Sequence, residues 1–187
     1  MVRITILFAT ALATSALAET LHVPKEHSTI QSALDFAQPG DVVEIAAGIY
    51  TESDLVPGGL NITVRGAINS DGTPAVIIDG AGEGVIFMFG VNGTDGAVIE
   101  NIHFTGSTGN AIWIYHHSPI IRNCTFTGLS TGADGGAIWS SNTEAIIENC
   151  RFVNNDGGNT GNIFFSMAQS DGPGPTIRGC VFEGNTA

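Results

Sequence analysis

Positive charge is scarce in this chain, which has six lysine and arginine residues against 18 aspartate and glutamate residues and a formal net charge of −12. Lys25 is the only lysine. Proteins that bind nucleic acid displace counterions from phosphate with clustered Lys and Arg, so this balance argues against a nucleic-acid partner. It also excludes a long basic helix lying on a membrane surface.

Long apolar runs are lacking beyond the first residues. Met1–Ala18 combines Arg3, a short apolar run over 4–13 and the small-residue segment Ala16-Leu17-Ala18. A membrane-spanning helix needs about 20 apolar residues, whereas this arrangement fits a peptidase site before Glu19. We therefore predict a signal peptide over 1–18, cleaved after Ala18, and a secreted or periplasmic mature chain without a membrane span.

Glycine, in contrast, is abundant, with 25 of 187 residues, while charged residues make up only 13% and hydrophobic residues 43%. This composition is typical of a turn-rich β protein. The length suits one domain with a sizeable core. We place that domain at residues 19–187.

A repeat runs through the second half of the chain. One element has six residues, with isoleucine first, a bend residue third and phenylalanine last. Its four copies align without gaps and are Ile99–Phe104, Ile121–Phe126, Ile147–Phe152 and Ile177–Phe182. A second element precedes each copy, as Gly84–Phe87, Asn110–Trp113, Gly136–Trp139 and Gly161–Phe164. Both alternate apolar with other residues, which is typical of strands with one buried face. Repeats of this size must stack to bury those faces, which predicts an all-β, single-stranded right-handed parallel β-helix.

Stacking makes equivalent positions neighbours, so we expect continuous ladders. The repeated isoleucines and phenylalanines should form core stacks. The three cysteines should be buried free thiols at one inward position, Cys124, Cys150 and Cys180. Left-handed backbone is expected at the bends, Asn101, Asn123, Asn149 and Gly179, where stacked amides can bond to one another.

One outward position reads Glu100, Arg122, Glu148 and Arg178, so its charge alternates from coil to coil. We interpret this ladder as surface pairing that sets the register, with under about 1 kcal/mol for each pair. It leaves Arg65 and Arg151 as the uncommitted arginines of the mature chain.

The front of the domain is predicted to cap the coils. Ser28 and Gln31 have the spacing of a capping box, and Ile30, Ala33, Leu34 and Ala37 then share one helical face. We place this cap at about 24–40 and the coils at about 41–187. No capping helix follows Phe182, so the C-terminal end is expected to be uncapped and open to self-association or further chain.

These segments resemble known families. The runs Thr29–Leu34, Gly40–Ile45, Gly48–Glu52 and Val76–Gly80 resemble the start of pectate-lyase-like right-handed β-helix proteins. The runs Gly135–Ile138, Phe152–Asn155 and Phe182–Asn185 are similar to the GGAI and FxxN repeats of polymorphic outer membrane proteins. The resemblance implies the fold, whereas the fold hosts lyases, esterases, epimerases, hydrolases, adhesins and tailspikes.

Catalytic motifs of these relatives are not found in the sequence. The paired-arginine segment of pectate lyases has no match, and neither do the paired aspartates of pectin methylesterases, so a methylesterase is disfavoured. If the chain is an enzyme, a lyase or epimerase would use Tyr115, His116 or His117 with Arg151 nearby, because histidine can act as a base near neutral pH. An ordinary turn remains the alternative reading of these histidines.

Aromatic residues give the most suggestive binding pattern. Phe87, Trp113, Trp139 and Phe164 share one repeat position, and they point outward as a ladder if the neighbouring isoleucines point inward. Such a ladder would contact sugar rings, whereas a phase error of one residue would bury it. No cofactor is required by this reading. Ca²⁺ is left open, with Asp134 and Asp156 in Gly-rich turns as weak candidate ligands.

Three functional hypotheses follow. The first is an exported β-helix protein that contacts an extracellular polysaccharide through its outward-facing strands. The second is a polysaccharide lyase or epimerase of the pectate-lyase-like fold. The third is an adhesin-type surface solenoid with no active site.

Overall fold

The computed structural model describes residues 17–58, 61–90, 95–132, 135–158, 160–166 and 174–186. These residues form a parallel β-solenoid of about six coils with one short helix, α1 (Ile30–Phe36). The predicted fold class is confirmed. The strands are, in chain order, β1 (Thr20–Val23), β2 (Val42–Ile45), β3 (Gly48–Thr51), β4 (Thr63–Gly66), β5 (Val76–Asp79), β6 (Phe87–Phe89), β7 (Val98–Glu100), β8 (Ile102–Thr105), β9 (Ile112–Tyr115), β10 (Ile120–Arg122), β11 (Thr125–Thr127), β12 (Ile138–Ser141), β13 (Ile146–Glu148), β14 (Arg151–Val153), β15 (Ile163–Ser166), β16 (Thr176–Arg178) and β17 (Val181–Glu183).

Three parallel sheets run along the solenoid. The first has the order β1-β2-β4-β7-β10-β13-β16, and we call it the charge-ladder sheet. The second, β3-β5-β8-β11-β14-β17, is the phenylalanine sheet. The third, β6-β9-β12-β15, is the tryptophan sheet. In a regular coil the chain passes from the charge-ladder sheet through a bend of one or two residues to the phenylalanine sheet, and then through a longer turn to the tryptophan sheet.

The core consists of the predicted ladders. Ile121 pairs in register with Ile99 and Ile147, which pairs in turn with Ile177. The phenylalanine rings stack with centroid separations of 5.1, 4.8 and 4.7 Å along the series Phe104, Phe126, Phe152 and Phe182. The first three rings are fully buried, whereas Phe182 is 50% exposed.

The charge ladder is longer than the sequence repeat indicated. Arg65 Nε lies 2.5 Å from Glu100 Oε1, and Arg122 Nε lies 2.6 Å from Glu100 Oε2. Arg178 Nε donates to Glu148 Oε2 at 2.7 Å. Glu44 lies in register with Arg65, so acid and base alternate over six consecutive strands, and His22 faces Glu44 at 3.2 Å. Arg65 is therefore committed to this ladder, and its prediction as an uncommitted arginine is wrong.

The cap differs from the expectation in detail. Helix α1 begins after Thr29, whose side chain accepts a hydrogen bond from Ser32 N while Ser32 Oγ accepts from Thr29 N. The capping box is thus Thr29–Ser32 rather than Ser28–Gln31, because serine replaces the usual Glu or Gln at the third helical position. The helix buries Ile30, Ala33 and Leu34 as predicted. Strand β1 precedes it and already pairs with β2.

The thiols are free as expected, but only two are buried. Cys124 and Cys150 are buried, whereas Cys180 is partly exposed, so the prediction of three buried thiols is wrong for the third. Cys180 lies in the coil whose phenylalanine is also half exposed. A hydrogen bond with Cys124, together with burial, raises the pKa of the Cys150 thiol. This thiol is therefore protonated and unreactive at neutral pH.

Candidate functional site

The tryptophan sheet presents a row of aromatic side chains on its outer surface. Trp113 pairs in register with Trp139, and Trp139 pairs with Phe164. All three side chains are partly exposed, while the alternating residues Ile112, Ile114 and Ile138 are buried. The outward phase predicted for these three aromatics is therefore observed.

Phe87 does not belong to this row. It pairs with Ile112 and is fully buried against Phe104, with ring centroids 6.1 Å apart in an edge-to-face arrangement. Met88 pairs with Trp113 and takes the outward position instead. The predicted assignment of Phe87 is wrong by one residue, and in a strand such a shift moves a side chain to the other face. The aromatic row is hereafter Met88, Trp113, Trp139 and Phe164.

The rings of the row form an offset parallel stack. The Trp113 and Trp139 planes differ by 6° with centroids 5.3 Å apart, and Trp139 and Phe164 follow at 6.1 Å and 29°. Parallel rings in contact are separated by about 3.5 Å along their normal, so the larger centroid distance requires a sideways offset. The offset leaves an edge and part of a face of each ring towards solvent. At Gly90, a Cβ atom would lie 3.2 Å from the Trp113 indole, so glycine keeps this space open.

Tyr115 and His116 extend the row at the end of β9. Tyr115 is 41% exposed, and its ring lies 5.7 Å from that of Trp113 and 4.2 Å from that of His116. His116 has left-handed backbone with φ +59°, and Asn142 occupies the equivalent place in the next coil with φ +52°. This shared geometry directs both turns away from the sheet in the same way.

His117 is placed differently. Its Nε2 lies 2.6 Å from the Gly90 carbonyl oxygen, and its own carbonyl oxygen accepts a hydrogen bond from Thr143 Oγ1. These contacts tie three successive turns together. The contact with Gly90 engages one of the two ring nitrogens, so His117 holds the turn in place beside the aromatic row.

A polar cleft of about 310 Å³ adjoins this end of the row. It is lined by Asp95, His116, Ser118, Asn142, Thr143 and Glu144. Asp95 accepts a hydrogen bond from Ser118 N at 2.9 Å, and Ser118 Oγ accepts from Glu144 N at 3.1 Å. Of these residues only His116 was predicted as a site residue. For the residues other than Asp95, the signal is the equal length of turns 116–119 and 142–145, which places their side chains side by side.

Arg151 is not part of this surface, so the expectation of an arginine near the histidines is wrong. Arg151 lies on β14 of the phenylalanine sheet, where its Nη2 atom is 3.6 Å from Glu183 Oε2. It lines a separate groove of about 400 Å³ with Asn101, Asn123 and Asn149 at the bends. Segment 67–75 also lines that groove, and within it Ile68 and Pro74 form an antiparallel bridge.

Only one of the two candidate calcium ligands lies among the described residues. Asp156 Oδ1 accepts a hydrogen bond from Gly158 N at 3.1 Å, which is the geometry of a local turn. Asp134 lies outside the described residues. Across the ranges that the structure describes, no group of three His, Cys, Asp or Glu side chains is placed to hold a metal ion.

Comparison with known proteins agrees with the architecture. A family model described as "Right handed beta helix region" matches residues 84–187, which is more than half of the chain. The matched segment contains the aromatic row and the polar cleft. A search of curated proteins found no match. No helix within the described ranges is long and apolar enough to cross a membrane.

Proposed function

The chain belongs to the right-handed β-helix family, and from this premise we propose that it is an exported protein that binds a polysaccharide on its tryptophan sheet. The observation that carries the proposal is the aromatic row, with one partly exposed apolar side chain on each of four successive coils. Sugar rings have apolar faces, and aromatic side chains provide large apolar surfaces on which such faces can pack.

The arrangement suits a repeating polymer in particular. Coils of a parallel solenoid advance by about 4.8 Å, so the row offers similar contacts at regular intervals along the axis. The polar cleft beside it supplies hydroxyl, amide and imidazole groups, which can hydrogen-bond to sugar hydroxyls. Apolar contacts with a few polar groups at the margin are what carbohydrate recognition needs.

Binding without turnover is the form of the proposal that the geometry favours. Tyr115 and His116 lie together, but Arg151 is on another sheet and His117 is hydrogen-bonded to Gly90. A lyase of this fold needs a base and a group that neutralises the carboxylate close to one sugar. The described candidates do not provide that pair in one place.

Export is the remaining part of the proposal. It is supported by the composition of residues 1–18, of which the structure describes only Leu17 and Ala18. An exported location would bring the aromatic row into contact with extracellular polymers.

The test is a binding screen with soluble neutral, acidic and amino polysaccharides, followed by tryptophan fluorescence and calorimetry. Replacing Trp139 with alanine should weaken binding about tenfold, which corresponds to about 1.4 kcal/mol. The change removes the central ring of the row, which also supports the rings of Trp113 and Phe164. Phe36→Ala is the control, since Phe36 is an exposed aromatic on α1, away from the tryptophan sheet. Urea unfolding of each variant separates lost binding from lost folding.

Two results would contradict the proposal. One is that no polysaccharide binds, and the other is that Trp139→Ala and Phe36→Ala bind as tightly as the unmodified chain. Release of unsaturated uronate products during the screen would instead support the lyase hypothesis.

A further inference from the structure

The charges of the molecule are divided unequally among its faces. Among the described residues, every lysine and arginine lies away from the tryptophan sheet. Arg65, Arg122 and Arg178 belong to the charge-ladder sheet, Arg151 to the phenylalanine sheet, and Lys25 to the segment between β1 and α1. The strands of the tryptophan sheet contain no charged residue at all.

The turns that enter and leave the tryptophan sheet carry only acidic charge besides histidine. The described acids there are Glu83, Asp95, Glu144 and Asp156, and Glu52 and Asp54 precede Leu55, which bridges to Phe87 at the first edge of the sheet. The sequence adds Asp134 and Asp171 in the same connections, and it contains no lysine or arginine between β8 and β10 or between β15 and β16. The aromatic row is therefore the apolar floor of a surface with acidic margins.

These carboxylates differ in their exposure and in the hydrogen bonds that they already accept. Glu52 accepts hydrogen bonds from Ile30 N and Gln31 N, and Asp95 accepts from Ser118 N. Glu83 and Glu144 are exposed and stand on opposite margins, Glu83 in the turn before β6 and Glu144 in the turn after β12. Glu144 also lines the polar cleft beside His116. Because they are exposed, these two carboxylates can form ion pairs with a charged ligand.

An acidic margin discriminates between polymers by charge. Like charges brought near this face repel, whereas an ammonium group gains attraction from several carboxylates at once. Indole faces also attract cations through their quadrupole, and the offset stack leaves part of a face of Trp113 and of Trp139 towards solvent. Both effects favour a ligand that combines sugar rings with positive charge.

We propose that the polymer bound on the tryptophan sheet is an amino polysaccharide with free, protonated amino groups. This inference rests on the proposed function and adds the chemical class of its ligand. The aromatic row packs against the pyranose rings, and Glu83 and Glu144 pair with ammonium groups along the chain.

The experiment compares three oligosaccharides of equal length by calorimetry. They are a fully deacetylated glucosamine hexamer, its N-acetylated counterpart and a galacturonate hexamer, which present positive, neutral and negative charge. We expect the glucosamine hexamer to bind at least about tenfold more tightly than the N-acetylated one, and the galacturonate hexamer to bind most weakly. Raising NaCl from about 0.05 to about 0.5 M should remove most of the difference, because salt screens exposed charges.

The matched variants neutralise one charge at a time without changing shape. Glu144→Gln and Glu83→Gln should each weaken binding of the glucosamine hexamer about twofold to fivefold, as expected for exposed ion pairs, and leave the N-acetylated hexamer unaffected. Glu183→Gln is the control, since Glu183 is an exposed acid on the phenylalanine sheet. The control should change neither affinity.

The outcomes separate this inference from the function on which it rests. If the N-acetylated or the galacturonate hexamer binds as tightly as the glucosamine hexamer, and Trp139→Ala abolishes that binding, polysaccharide binding stands and the amino-sugar inference is wrong. If the glutamine variants and Glu183→Gln have the same effect, the inference is also wrong. If none of the three hexamers binds and no polymer of the wider screen binds, both proposals fail.

Discussion

At residue 123 the backbone lies in the left-handed region, with φ +54°, and asparagine is one of the few side chains that tolerate this conformation. Asn101 and Asn149 repeat this conformation in the neighbouring coils with φ +61° and +54°, and Gly179 follows with φ +62°. At Gly179 a Cβ atom would approach Asn149 Oδ1, so glycine leaves room for the asparagine side chain of the preceding coil. Each bend therefore depends on its residue type.

Replacing Asn123 with alanine should lower the free energy of unfolding by about 1 to 2 kcal/mol, because an ordinary side chain is strained at this φ. Asn123→Gly is the matched variant, and its free energy of unfolding should fall by only about a few tenths of a kcal/mol, because glycine adopts this φ without strain. Urea unfolding measures both. Equal losses in the two variants would show that the amide group, rather than the backbone conformation, is what stabilises the bend.

At the scale of the element, the phenylalanine stack joins one coil to the next. Phe126 contacts a ring on either side, at 5.1 Å from Phe104 and 4.8 Å from Phe152, and is fully buried. Phe182 contacts Phe152 at 4.7 Å but is 50% exposed. The same residue type thus occupies two environments in one ladder.

Phe126→Ala should destabilise the fold by about 3 to 5 kcal/mol, because it removes a large buried side chain and leaves a cavity. Phe182→Ala should cost about half of that or less, since half of its surface already faces solvent. Denaturant midpoints of the two variants, measured side by side, test the comparison. A larger loss for Phe182→Ala would contradict the burial pattern.

At the scale of the whole molecule, one carboxylate links three coils of the charge-ladder sheet. The Glu100 side chain is only 7% exposed and receives both Arg65 and Arg122. Burial by itself would raise the pKa of Glu100, but the hydrogen bonds from the two guanidinium groups outweigh burial and hold its pKa below the ordinary value. A lowered folded-state pKa stabilises the fold above the unfolded pKa of about 4.3, and this stabilisation is lost as pH falls through the folded value.

Glu100→Gln should therefore lose about 1 to 3 kcal/mol of stability at neutral pH, and its stability should fall less steeply than that of the unmodified chain below about pH 4. Glu183→Gln is the control, because Glu183 is exposed and its 3.6 Å contact with Arg151 is loose. Thermal unfolding across the acid range measures the difference. Parallel pH profiles for the unmodified chain and Glu100→Gln would contradict the role assigned to Glu100.

The sequence predicts those parts of the fold that repeat without gaps. Ile121, Phe126 and Asn123 align with their counterparts at fixed spacing, and their places in the coil follow from that alignment. The place of Arg65 in the ladder was missed because segment 67–75 replaces the short bend in its coil, so Arg65 aligns with no repeat. Phe87 was misplaced because the alignment matched Ile86 with Ile112 and therefore Phe87 with Trp113. In the structure Phe87 itself pairs with Ile112.

The site is less predictable than the core. Outward tryptophans follow from strand alternation, whereas the cleft depends on turns whose side chains have no period. Asp95 and Glu144 are ordinary turn residues in the sequence, and only the stacking of coils brings them beside His116. The division of charge between faces likewise becomes visible only once each strand is assigned to a sheet.

The charge ladder gives the solenoid a parity. Acid and base alternate from Glu44 to Arg178, so the pattern repeats after two coils rather than one. Removing one internal coil would place like charges side by side, whereas removing two would restore every opposite pair. The unit in which this solenoid can grow or shrink while keeping its ladder is therefore the pair of coils.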